Sequence, residues 1–143
     1  MTKLIVSTLI VLAATMGSSW AQGTLDVNVT GIESDEGKII LMLFDQREGF
    51  PSKKEKAYKR IKITAKKGDL AYTFKDLPYG IYALSVAHDE NNNDEIDTNF
   101  VGLPKERIGA SYHEKFGKPS FEKSKFSLSE NQQALKIDMK FLN

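Results

Sequence analysis

The chain has 143 residues, 27% charged and 41% hydrophobic, the make-up of one compact domain with little room for a second. Its 20 Lys and Arg offset 19 Asp and Glu to a net +1, so the molecule as a whole has no electrostatic pull on nucleic acid or an anionic membrane. Cysteine is absent and His occurs twice, which excludes disulfide frameworks, thiolate zinc sites, iron–sulfur clusters, thiol nucleophiles and a multi-histidine metal site.

The amino terminus reads as a secretory leader: Lys3, an apolar run from Leu4 to Ala14, then the small polar stretch Gly17 to Ala21. Ser19 and Ala21 flank Trp20 as small residues suited to a signal peptidase, which places cleavage before Gln22. The apolar run falls short of the roughly 20 residues of a membrane span. Two parts follow, a signal peptide over 1–21 and a single domain over 22–143. The mature chain has equal numbers of acidic and basic side chains and no anchor, and is expected in the periplasm or the medium.

Alternation then sets the strands. Leu25, Val27 and Val29 face one way and Asp26, Asn28 and Thr30 the other, the period of a half-buried strand. After a turn at Glu33 to Gly37, the run Lys38 to Asp45 is nearly all apolar, as in a central strand covered on both faces. Residues 46–57 hold Gly49, Pro51 and several Lys, with room for a short helical turn up to Ala57. Ile61 and Ile63 predict a strand that turns at Lys67 and Gly68 into a hairpin partner bearing Leu70, Tyr72 and Phe74. A Pro–Gly turn over Asp76 to Gly80 leads to Tyr82, Leu84 and Val86. The last two strands are expected over Phe121–Leu128 and Ala134–Leu142. Seven short strands without a long helix predict an all-β fold, a two-layer antiparallel sandwich, over a mixed α/β arrangement.

The loop from Ala87 to Gly102, AHDENNNDEIDTNFVG, carries the most chemistry. Asp89, Asn91, Asn93, Glu95 and Asp97 put oxygen-bearing side chains at every second position, the pattern that hard cations such as calcium take. The opening D-x-N-x-N matches an EF-hand or dockerin-like loop; Asp97 stands at its ninth position and Glu95 would offer its carbonyl at the seventh. Asp94 at the sixth position, where Gly is wanted, and Phe100 at the twelfth, where Glu is wanted, exclude a full EF-hand. The competing reading is an Asx-rich connection whose side chains satisfy their own backbone.

His88 continues the buried phase of Tyr82, Leu84 and Val86, which favours a structural histidine, and His113 lies in a polar loop. Neither His belongs to a recognisable catalytic motif, and there is no nucleophile elbow or phosphate-cradling Gly loop. The basic run Lys53 to Lys67 fits an edge strand guarded by lysine better than an anionic-ligand site.

Residues Leu77 to Phe126 resemble the bacterial domain-of-unknown-function family 2141. Leu77, Pro78, Gly80, Tyr82 and Ala83 match its LP-x-G-x-Y-A turn, and His88, Asp89 and Asn91 its H-D-x-N. Asn93, Asp97, Asn99, Gly102, Pro104, Glu106, Gly109 and Ser111 are similar to the loop elements that follow, with Gly117, Pro119 and Phe121 at the next strand entry. Asp94 departs from the family's usual Gly. The resemblance implies an exported sandwich, immunoglobulin-like or prealbumin-like, and no reaction. The expected role is a non-enzymatic binding or accessory module for an unidentified ligand or protein partner, its loop ordered by a cation. The alternative is a small extracytoplasmic hydrolase or transferase pairing His88 or His113 with a carboxylate.

Overall fold

In a computed structural model, residues 20–112 and 118–139 are described, and their regular structure is almost all strand. The strands are β1 (Gln22–Ile32), β2 (Lys38–Phe44), β3 (Lys59–Thr64), β4 (Gly68–Pro78), β5 (Gly80–Asp89), β6 (Ile108–Ala110), β7 (Phe126–Leu128) and β8 (Gln132–Asp138). A 3₁₀ turn, Lys54–Lys56, sits where the sequence leaves room for one, and a one-turn helix α1 spans Phe121–Ser124. Residues 1–19, which hold most of the expected signal peptide, His113 to Gly117 and the residues from Lys140 on lie outside the described residues.

Two sheets form, in the orders β4-β1-β8 and β3-β2-β5-β6, with β7 pairing separately with β5. Period-two alternation turns Leu25, Val27 and Val29 inward from β1 to meet Ile39, Leu41 and Leu43 of β2 and Leu84 and Val86 of β5 in a single core cluster. The opposite face of β2, carrying Ile40, Met42 and Phe44, is also buried, packed against Ala83 and Phe121 with Phe50, Ala57 and Ile96 of the covering loops. That second layer explains the unbroken apolar run of β2 and places loop residue Ile96 against the sheet. Every described strand and buried cluster lies between Gln22 and Met139.

The expected all-β sandwich of two largely antiparallel sheets is what forms, and four details within it differ. β3 and β4 are not a hairpin: β3 pairs with β2 and β4 with β1, because Ala65 is buried and its N–H reaches the Gly37 carbonyl at 3.1 Å as the chain crosses between sheets. The sandwich is not wholly antiparallel, since β8 runs parallel to β1 from Thr24↔Gln132 to Thr30↔Asp138. The expected strand over Phe121–Leu128 starts as α1, which buries Phe121 and Ser124, and only Phe126–Leu128 is extended. β6 supplies an eighth strand where none is expected.

Candidate functional site

Asp89 ends β5 on the face opposite the main core, and it is fully buried. Its carboxylate accepts the Asn93 N–H at 3.1 Å and the Asp94 N–H at 2.9 Å, and it faces Lys38 Nζ at 3.4 Å. The outgoing loop is therefore tied to the strand it leaves, and the buried carboxylate satisfies two amides of the otherwise exposed turn. Asn92 and Asp94 take the left-handed conformation, φ 60° and 65°, which Asn and Asp tolerate better than other non-glycine residues.

Asp94 fastens the loop to the sheet. Its carboxylate lies 2.7 Å from Lys38 and 2.8 Å from Lys62, with Arg60 at 3.5 Å, and its carbonyl accepts from Arg60 at 3.1 Å. Hydrogen bonds from Lys38 and Lys62 hold the Asp94 carboxyl well below the usual carboxylate range, and Asp94 in turn raises the Lys38 ammonium. Arg60 and Lys62, from the basic run, thus lie along edge strand β3 and are spent on this loop.

The remaining oxygens converge further along. Asn91 Nδ2 donates to Asp97 at 2.6 Å and Asn93 Nδ2 to the same carboxylate at 3.0 Å. Each amide oxygen meanwhile closes an Asx turn, Asn91 Oδ1 accepting the Asn93 N–H at 3.1 Å and Asn93 Oδ1 the Glu95 N–H at 2.9 Å. The Glu95 side chain points away, 3.8 Å from Lys54. The side chains of Asn91, Asn93 and Asp97 are therefore brought together by the fold, whereas the Asp89 carboxylate is taken up by the Asn93 and Asp94 amides and Lys38 and the Glu95 carboxylate points elsewhere.

Glu106 is the residue that spacing does not single out. It lies nine positions beyond Asp97, and the turn between them returns it so that Oε2 accepts the Asp97 N–H at 3.3 Å. Burial pushes its carboxyl up to about 7; the Asp97 N–H opposes the rise, and the charges of Asp89, Asp97 and Glu90 add to it. The only sequence signal was its place in the G-x-P-x-E element.

Among the described residues no group of three or more His, Cys, Asp or Glu is disposed to hold a metal. A cation set here has to draw on amide oxygens, whose second lone pairs stay available beside the Asx-turn hydrogen bonds, and on the Asp97 and Glu106 carboxyls. The donors are hard oxygens, the chemistry calcium takes.

His88 is fully buried between the sheets, with Nε2 2.7 Å from the Glu36 carbonyl and Nδ1 3.7 Å from Glu90. A carbonyl only accepts, so Nε2 carries the proton and the ring is committed to the fold.

These features define a small all-β sandwich with an Asx-rich loop strapped across its outer face. The chain belongs to the bacterial family described as an uncharacterized protein conserved in bacteria, DUF2141, which matches residues 27–136. No curated protein and no solved structure matches it.

Proposed function

We propose that the chain is an exported, non-enzymatic binding or accessory module whose loop from Asp89 to Glu106 is ordered by calcium and presents the ligand-binding surface. The observation that carries the reading is the convergence of Asn91 and Asn93 on Asp97 within 3.1 Å, with the buried Glu106 against the Asp97 amide. Lysines neutralise Asp94, whereas Asp97 accepts only amide N–H groups; a divalent cation would displace those N–H groups and turn the Asn oxygens onto the Asp97 charge. The proposed ligands are the Asn91 and Asn93 oxygens, the Asp97 carboxylate and the Glu95 carbonyl, with Glu106 beside them, while Asp89, bonded to two N–H groups and facing Lys38, holds the loop in place. Extracellular modules of this donor type bind calcium with Kd of about 10⁻⁴ to 10⁻³ M. At ~1 mM calcium and a Kd of ~10⁻⁴ M, linkage stabilises the fold by roughly 1.4 kcal/mol, a rise of about 5 °C in Tm. A thermal melt of the chain from Gln22 with calcium and with chelator reads this directly. Asp97→Asn, which keeps the shape and removes the charge, is expected to abolish the response. An unchanged Tm in the native sequence overturns calcium ordering.

Export rests on Lys3, the apolar run Leu4 to Ala14 and the small residues Ser19 and Ala21. Intact mass of the protein from its native host is expected to give an amino terminus at Gln22. Retention of Met1 rules out processing.

A further inference from the structure

Between Asp97 and Lys105 the loop folds back on itself as a small arm. The Lys105 N–H reaches the Asp97 carbonyl at 2.8 Å, Thr98 bridges to Pro104, the Asn99 N–H reaches the Leu103 carbonyl at 2.8 Å and the Gly102 N–H the Asn99 carbonyl at 2.9 Å. Asn99 staples the tip as well, its Oδ1 accepting the Val101 N–H at 3.1 Å and the Leu103 N–H at 3.0 Å. The N–H groups of Asn99, Val101, Gly102 and Leu103 are thus satisfied, and the two side chains the turn presents are the wrong kind for water: Phe100 is 100% exposed and Val101 63%. Residues 98–105 contain no acid, Lys105 is exposed at the root, and exposed Lys118 lines the same small hollow as Gly102 and Pro104.

Two apolar side chains among Thr98, Asn99 and Gly102 make too small a patch for a stable protein interface, which takes about 20–30 residues a side. A bilayer boundary accepts an isolated apolar finger with a basic collar, because acyl chains close around it and headgroup phosphates meet the lysines. We propose that the Phe100–Val101 tip docks the protein on an anionic lipid surface, the two side chains entering the headgroup boundary and Lys105 and Lys118 facing the phosphates. This goes beyond the binding-module reading and does not depend on calcium.

The chain from Gln22 to Asn143 lacks Trp20, the one tryptophan, so Phe100→Trp places a single fluorophore at the tip. Measured in chelator at low salt, its emission is expected to shift to the blue with vesicles of one-third phosphatidylglycerol in phosphatidylcholine and to stay unshifted with phosphatidylcholine alone. In co-sedimentation on the same anionic vesicles, Phe100→Ser with Val101→Ser is expected to lower partitioning at least tenfold and Lys105→Glu several-fold, with circular dichroism unchanged. Emission indifferent to anionic vesicles, or partitioning that survives loss of both apolar side chains, overturns the proposal. So does a photocrosslinker at position 100 that reacts in cells with a protein and not with lipid. Running in chelator keeps this result separate from the calcium test.

Discussion

A carboxyl that the fold makes harder to ionise charges the protein for every proton it loses, and Glu106 is such a group. Its ordinary value of 4.5 rises to about 7, with burial the main cause. The folded state then holds the proton more tightly than the unfolded chain between those values, so in the absence of metal, stability falls as pH rises from about 4.5 to about 7. The drop is at most on the order of 3 kcal/mol. Glu106→Gln should flatten that slope and raise the Tm at pH 8, measured by thermal melts across the range in chelator; a slope unchanged in the variant assigns it to other groups.

Among the elements, β2 and the loop across it depend on one close approach. Gly37 precedes β2 at φ 68°, and a Cβ built there meets the Asp89 carbonyl oxygen at 2.0 Å, a backbone atom unable to step aside. Gly37→Ala combines left-handed strain with that clash, and is expected to cost at least about 2 kcal/mol in denaturant unfolding and to loosen the Asp89 hold on the loop, since Asp89 moves with its own carbonyl. Much of this layer was legible beforehand. The unbroken KIILMLF run marked a strand covered twice, and the alternation of β1 marked its core face. Three-residue β6 is too short to show a period, and Phe121 and Ser124 are spaced as one helical turn inside a stretch whose later residues alternate. In the loop, side-chain chemistry was legible and its commitments were not: nothing in D-x-N-x-N says that both Asn oxygens close turns, or that Asp94, in a position suited to Gly, gathers Lys38, Arg60 and Lys62. Glu106 was hidden because it arrives through a turn, and periodicity describes only neighbours along a strand.

At the scale of the molecule, the parallel pair of β1 and β8 joins the two ends of the domain. Local pattern is silent on strand direction, so an alternating last strand reads the same whether it enters parallel or antiparallel. β8 brings Leu135 and Ile137 into the main core beside Val27 and Val29, and Gly109 of β6 approaches it so closely that a Cβ there meets Ile137 Cγ2 at 2.6 Å. A chain ending before Gln132 loses this wall of the core and exposes the edge of β1. Such a truncation is expected to give no cooperative thermal transition, by calorimetry or near-ultraviolet dichroism, where the chain through Asn143 gives one.

The same pairing sets a clock on biogenesis. The first strand made is bordered by the last, so sheet one remains a two-stranded ribbon until residue 138 has emerged from whatever tunnel the chain is leaving. Contacts between such distant parts of a sequence also form slowly. A chain of this topology therefore stays an open ribbon for nearly the whole of its synthesis and closes only when its last described strand arrives.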